Sequence, residues 1–169
     1  LEASLELLNF LIDARVNGKA VWRTEQVKDV FFLEDYAYLI DALILSYQVT
    51  FKESYLSLAK DLSEEAIVLF YEDQQFNLST ENQLDLEIAQ ASNDLSVPSG
   101  NAQMVKNLAV LGTYYYDSQA EWLELADQLL EKESSRINQV PVFKGTWLQA
   151  NLLRAIQPYE VAILGEEAK

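Results

Sequence analysis

The feature that most constrains this fold is a helical apolar stripe that occurs twice with almost no chain between the two copies. In FLEDYAYLIDALILSYQVT, apolar residues recur at spacings of three and four from Leu33 to Tyr47. The same spacing returns from Tyr55 to Leu69. Such spacing gives each of two α-helices one apolar face. The short connection predicts that the helices form an antiparallel αα-hairpin.

A second pair of helices is expected later in the chain. Apolar residues at helical spacing run from Met104 to Tyr115 and again from Trp122 to Leu130. A last helix is expected from about Lys144 to Ile156, and a first one over LEASLELLNFLIDAR, before the stop signal Asn17-Gly18. The repeated order of long helix, short turn and long helix is typical of an α-solenoid or an α/α toroid.

Strands are expected to be few and short. The helical pattern is interrupted from Tyr71 to Pro98, where YEDQQFNLST suggests a short extended excursion and the remainder a long loop. The tail PYEVAILG is predicted to form a short strand through Val161, Ile163 and Leu164. We therefore predict one all-α domain over residues 1–169, made of αα-hairpins with minor short strands.

Composition limits the chemistry and the partners. The chain has no histidine and no cysteine, so it contains no His-based triad, thiolate nucleophile or zinc site of the usual ligands, and we predict no metal and no cofactor. Its net charge of −15 disfavours nucleic acid and anionic membranes. No apolar run approaches the roughly 20 residues of a membrane span. The absence of cysteine suits a reducing compartment, and we expect a cytoplasmic protein.

Three segments carry a family resemblance. FFLEDYAYLIDALILSYQVTF (31–51) resembles the "FLEDYA" block of thioredoxin-domain-containing proteins of the spermatogenesis-associated protein 20 type. NDLSVPSGNAQMVKNL (93–108) resembles that family's "PSxN" block, and PYEVAILGEE is similar to the strand that closes its chain. The sequence departs from the family where Gln74 and Gln75 replace a Gly-Gly pair and Leu95 replaces a glycine.

The resemblance implies an (α/α)6 toroid, similar in fold to N-acylglucosamine 2-epimerases and six-hairpin glycosidases, behind an N-terminal thioredoxin-like domain. This chain would be the C-terminal part of such a protein and would form about half of the toroid. The thioredoxin-like domain of the same protein would then be a partner. The fold relationship also implies a carbohydrate-associated role with a sugar ligand. Whether the chain is an enzyme stays open.

Three carboxylates are the catalytic candidates: Glu34, Asp35 and Asp94. Glu34 and Asp35 occupy the first turn of the predicted helix in the FLEDYA block, and glycoside hydrolysis generally requires two carboxylates. The alternative for these two is that they interact with the positive end of the helix dipole. Asp94 lies in the PSxN block, and its alternative role is helix capping. If the three act together, they should face one cavity.

Five further residues are candidates for ligand binding. Trp22 and Arg23 form an aromatic–basic pair able to stack on a sugar or hydrogen-bond it. Arg23 has the alternative of an internal clamp on an aspartate. Tyr36 belongs to the FLEDYA block. Ser99 and Asn101 begin a predicted helix, where capping is the alternative role.

Three functions compete at this point. The first is a carbohydrate-associated toroid, either an enzyme or a descendant of one. The second is a non-catalytic scaffold for the thioredoxin-like domain, suggested by the substituted family positions. The third follows from the fragment itself, because half a toroid exposes apolar helix faces that a homodimer would cover.

Overall fold

The computed structural model describes residues 1–81, 92–115 and 120–156. This part of the chain is mostly helical, which confirms the all-α prediction at that level. The predicted last helix is found one residue inside its expected bounds at each end. The helices are α1 (Glu2–Arg15), α2 (Leu33–Thr50), α3 (Glu53–Phe70), α4 (Gly100–Tyr114), α5 (Ala120–Gln139) and α6 (Gly145–Ala155).

Two short β-hairpins follow helices α1 and α3. The first pairs β1 (Val16–Asn17) with β2 (Ala20–Val21), and the second pairs β3 (Tyr71–Glu72) with β4 (Gln75–Phe76). Both use two-residue loops, and positive φ angles at Gly18 in the first and at Asp73 and Gln74 in the second allow the tight reversal. The excursion predicted in YEDQQFNLST is thus a β-hairpin whose Phe76 is buried.

The first predicted αα-hairpin is present. Phe51 adopts a left-handed conformation (φ 57°) after Thr50 and ends α2, and α3 begins two residues later and packs back against α2. The apolar stripes of both helices are buried between them, as their spacing predicts. Residues 116–119, which include the predicted cap Ser118, lie outside the described residues, as do Val161, Ile163 and Leu164 of the predicted tail strand.

Helix α4 lies at the centre of the packing. It contacts α2, α5 and α6, and most of its residues are buried. Two buried amides fix its register on α2, because the Asn107 side chain donates a hydrogen bond to the Ala37 carbonyl (2.7 Å) and accepts one from Gln103 (2.9 Å). Helices α2, α4 and α6 therefore form a row, with α3 backing α2 and α5 backing α4 and α6.

Helix α1 is only partly covered by the rest of the protein. Only Leu8 is fully buried, whereas Leu7 and Phe10 are 59% and 62% exposed. The face predicted from Leu1, Leu5, Leu8, Leu11 and Ile12 is therefore covered only in part. Within the described residues, no helix combines the length and the apolar character that a membrane crossing requires.

Candidate functional site

A buried tyrosine of α2 holds one wall of the candidate site in place. Tyr36 of α2 is fully buried, and its hydroxyl donates to the Lys19 carbonyl (3.0 Å) and accepts from the Val21 amide (3.1 Å). Burial raises the pKa of Tyr36 to about 12. These bonds attach the first β-hairpin to α2. Tyr36, a predicted ligand-binding residue, is thus part of the core and has no exposed surface for a ligand.

Arg23 and Asp35 form a bidentate pair at the start of α2. Arg23 Nε lies 2.9 Å from Asp35 Oδ2 and Nη2 lies 3.2 Å from Oδ1, while Glu34 is 3.6 Å from the same guanidinium. Hydrogen bonding to Asp35 raises the pKa of Arg23. The guanidinium also stacks 3.9 Å over the Phe32 ring. This is the internal clamp that the sequence offered as the alternative role of Arg23.

A cavity of about 280 Å³ opens beside this pair. We call it the α1–α2 cavity because α1, the first β-hairpin with the two residues after it, and α2 form its walls. Half of the lining residues are apolar, and the other half carry rings or charges. The apolar ones are Leu8, Leu11, Val21, Leu39 and Ala42, and the others are Arg15, Trp22, Arg23, Asp35 and Tyr38.

Two residues of the cavity wall were not among the sequence candidates. Arg15, at the end of α1, has a buried Nη1 that finds no hydrogen-bond partner among the described residues. Tyr38 donates its hydroxyl to the Pro98 carbonyl, and burial together with nearby Glu34 and Asp94 raises its pKa. Tyr38 lies two residues after Tyr36 on the same helix, and it is the half-buried member of that pair. Helical position alone would have pointed to it as a residue at the edge of the core.

Asp94 joins two helix starts. Its Oδ1 accepts from the Ser99 amide (2.7 Å), next to α4, and its Oδ2 accepts from the Thr146 amide (2.6 Å) in the first turn of α6. Its own amide donates to the Phe143 carbonyl (2.8 Å). Asp94 therefore performs the capping role that the sequence left as its alternative.

The remaining candidates cluster at the start of α4. Ser99 is its N-cap, and the serine hydroxyl accepts from the Ala102 amide (3.3 Å). Asn101 is buried, and within the described part of the chain its Nδ2 has no hydrogen-bond partner. Glu34 packs on the same helix start, since a Cβ added at Gly100 would lie 3.0 Å from Glu34 Cγ.

The structure therefore separates the predicted site residues into two groups. Trp22, Arg23 and Asp35 line the α1–α2 cavity. The other five predicted residues do not: Glu34, Tyr36, Asp94, Ser99 and Asn101. The expectation that Glu34, Asp35 and Asp94 face one cavity does not hold for this one. The carboxylate in the cavity is already held by Arg23 through both oxygens. The geometry therefore fits binding better than acid–base chemistry on a pair of carboxylates.

A second cavity carries a similar clamp. It measures about 260 Å³ and lies between α5 and α6, and we call it the α5–α6 groove. Arg154 Nε and Nη2 each lie 2.7 Å from an oxygen of Asp127 there. Hydrogen bonding to Asp127 raises the pKa of Arg154. The other described lining residues are Leu130, Glu131, Ser134, Ile137, Asn138 and Asn151, and none of these is aromatic.

A buried polar network that the sequence analysis missed holds α5 and α6 together. Lys144 is 1% exposed, and its Nζ lies 2.5 Å from Glu133 Oε1 and 2.9 Å from the Ser92 carbonyl. The Ser92 hydroxyl donates to the same carboxylate (2.7 Å), and Trp147 Nε1 donates to the Ser92 carbonyl (2.8 Å). Such full pairing is what a buried lysine and glutamate require.

Comparison with known proteins adds little to this geometry. No family model matches the chain, and no solved structure matches it. Among curated proteins, an uncharacterised protein of Caenorhabditis elegans is 28% identical to it over 127 residues. The match covers 75% of this chain and 17% of that protein, so the chain corresponds to less than a fifth of the relative's length.

Proposed function

We propose that this chain is a carbohydrate-associated, α/α-toroid-like domain and that the α1–α2 cavity is its sugar-binding site. The observation that carries the proposal is the combination of Trp22 and Tyr38 with the Arg23–Asp35 pair around one small cavity. Aromatic rings provide flat apolar surfaces, and the clamped charges provide donors and acceptors in fixed positions. A volume of about 280 Å³ suits a ligand of monosaccharide size, at the lower end of small-molecule sites.

The helix arrangement supports the toroid part of the proposal. Helices α2, α4 and α6 lie in a row, and α3 and α5 pack behind them. This alternation of a front and a back helix is the arrangement from which an α/α toroid is built. About half of an (α/α)6 ring would be formed by the hairpins present in this chain.

Binding of neutral sugars tests the proposal. The chain is titrated with glucose, mannose and N-acetylglucosamine while tryptophan fluorescence is recorded. Trp22 lines the cavity, whereas Trp122 and Trp147 are 3% and 4% exposed in the core. We expect a saturable change that Trp22→Phe abolishes. If no sugar gives saturable binding, the proposed function is wrong.

The second clamp provides a matched control. Asp35→Asn removes the charged acceptor from the α1–α2 cavity, and Asp127→Asn removes the equivalent acceptor from the α5–α6 groove. We expect Asp35→Asn to weaken sugar binding by roughly tenfold, as loss of one charge-assisted hydrogen bond does. Asp127→Asn should leave it unchanged. Equal effects of the two substitutions would place the binding outside the α1–α2 cavity.

A scaffold role is the second candidate, and the exposed apolar side chains of α1 favour it. Leu7 and Phe10 of this helix, and Leu1 directly before it, are exposed to solvent. A thioredoxin-like domain of the same protein would cover them in a scaffold, and a second copy of this chain would cover them in a homodimer. Light scattering distinguishes monomer from homodimer. Titration of a separately produced thioredoxin-like domain into wild type and Phe10→Ser tests the scaffold.

A further inference from the structure

The four arginines of this chain differ in one respect. Arg23, Arg136 and Arg154 each lie within 4.0 Å of a carboxylate oxygen. For Arg15, the described residues provide no ion pair and no side-chain hydrogen bond, and its buried Nη1 is without a partner. This is unexpected in a chain with 27 acidic residues, because an arginine with a buried guanidinium nitrogen normally pairs with a carboxylate or another acceptor.

The position of Arg15 indicates which kind of group could pair with its guanidinium. Arg15 lines the α1–α2 cavity together with one balanced pair, Arg23 with Asp35. The charges of the lining residues thus sum to a surplus of one positive charge, although the whole chain carries −15. The α5–α6 groove shows the opposite balance, because Glu131 adds a negative charge to the Arg154–Asp127 pair.

We propose that the α1–α2 cavity binds an acidic monosaccharide, a sugar acid whose carboxylate pairs with Arg15. This inference rests on the proposed sugar site and names the class of sugar. The planar guanidinium offers parallel N–H donors that match a carboxylate in bidentate geometry. The ring of the sugar then lies against Trp22 and Tyr38, and its hydroxyls reach the Arg23–Asp35 pair.

Three probes of similar size test the charge and the hydroxyls separately. They are glucuronate, its neutral counterpart glucose, and cyclohexanecarboxylate, which has the carboxylate and no hydroxyl. Binding to the full chain is measured by calorimetry at fixed, low ionic strength. We expect glucuronate to bind roughly tenfold tighter than glucose, or more, because a hydrogen bond to a charged group is the difference between them.

Substitutions identify the residue responsible. Arg15→Gln should reduce glucuronate to the affinity of glucose, and Arg15→Lys should recover only part of the preference because an ammonium cannot bind in bidentate fashion. Arg154→Gln changes the net charge equally but lies in the α5–α6 groove, and it should leave the preference intact. Circular dichroism of each variant checks that α1 is retained.

The outcomes separate the two claims. Equal affinity for glucose and glucuronate, or an unchanged preference in Arg15→Gln, overturns the acidic-sugar inference and leaves the sugar site standing. Cyclohexanecarboxylate binding as tightly as glucuronate shows an anion site at Arg15 and overturns the carbohydrate function. Binding of none of the three overturns both.

Discussion

The α1–α2 cavity and the α5–α6 groove have nearly the same volume and each contains a bidentate arginine–aspartate pair. They differ in what surrounds that pair. The α1–α2 cavity adds two aromatic rings and Arg15, whose guanidinium forms no ion pair with a described residue, and the α5–α6 groove adds Glu131, two asparagines and a serine. A clamped ion pair by itself is therefore no sign of a binding site, since exposed pairs form readily wherever both charges are available.

The two cavities also differ in how their walls are held. The hydroxyl of Tyr36 donates one hydrogen bond and accepts another, and these two bonds fix the hairpin that forms one wall of the α1–α2 cavity. A buried ion pair, Lys144 with Glu133, fixes α6 on α5 at the groove. The walls of the α5–α6 groove are thus held by the stronger interaction. Its described lining lacks the aromatic rings found in the α1–α2 cavity. We infer that its polar residues stabilise the fold, whereas those of the α1–α2 cavity are available for a ligand.

The largest expected effect comes from breaking the framework of the α5–α6 groove. Lys144→Met removes the buried cation of Glu133 and leaves only the half-exposed Arg136, 3.3 Å from Glu133 Oε2. Breaking a buried pair in this way costs up to about 3–5 kcal/mol of unfolding free energy. Urea denaturation followed by circular dichroism measures it. The double variant with Glu133→Leu should recover part of the loss because no buried charge then remains.

A small loss in Lys144→Met, below about 1 kcal/mol, would contradict this assignment. It would mean that water reaches Glu133 when the lysine is absent. The α5–α6 groove would then no longer have the stronger framework of the two.

The second effect concerns Asp94, which the sequence offered as a catalytic residue. Asp94→Ala leaves the amides of Ser99 and Thr146 without their acceptor, and we expect a loss of about 2 kcal/mol in unfolding free energy. Asp94→Asn keeps an acceptor for one amide and should lose less. Sugar binding at the α1–α2 cavity should be unchanged in Asp94→Asn. A loss of binding there without a loss of stability would restore Asp94 as a site residue.

The third effect tests the framework of the α1–α2 cavity. Tyr36→Phe removes the hydroxyl shared by Lys19 and Val21, and we expect it to cost about 1–2 kcal/mol at neutral pH. Thermal unfolding measures the loss. Tyr38→Phe is the matched control, because its hydroxyl makes a single bond at the surface. If both variants cost the same, Tyr36 does not hold the hairpin in place.

Tyr36 also predicts how stability depends on pH. Its pKa is about 12 in the folded protein against an ordinary value of 10.0, so the unfolded chain releases the proton first. Its contribution is complete below pH 10 and decreases through the interval up to about 12, by up to about 1.4 kcal/mol per pH unit. Tyr36→Phe should reduce this slope in urea denaturation at pH 9 to 12. Burial raises the pKa of Tyr115 as well, so part of the slope should remain.

The smallest expected change in stability comes from substitutions in the two arginine–aspartate clamps. Asp35→Asn and Asp127→Asn should each change the unfolding free energy by less than about 1 kcal/mol, because both pairs are partly exposed to solvent. High salt should remove most of the difference from wild type. A cost of several kcal/mol at Asp35 alone would show that its pair holds the cavity wall and would weaken its assignment to ligand binding.

The helices were predictable because their signals are local. Apolar spacing in α2 through α6 reflects which side of each helix turns away from water, and that requires only nearby residues. The same holds for the capping of α4 by Ser99, which the sequence offered as an alternative. The Arg23–Asp35 clamp was also among the alternatives, because an arginine just before two acidic residues has its partner within reach.

The core and the cavity depended on contacts between distant segments. Nothing in the sequence distinguishes Lys144 from a surface lysine at the start of a helix. It becomes buried because Ser92 and Glu133 approach it in the folded chain. Arg15 appears as a cation that suits the end of α1. Only the folded chain buries its Nη1 and brings Arg15 to the α1–α2 cavity.

By itself the sequence determined the helices, their apolar faces and the absence of histidine and cysteine chemistry. Tertiary structure alone decided which polar residues are buried, which carboxylates act as caps and which charges share a cavity. The reason is physical: a helix face is set by residues three and four apart, whereas the surroundings of Asp94 or Arg15 are set by segments that meet only when the chain folds.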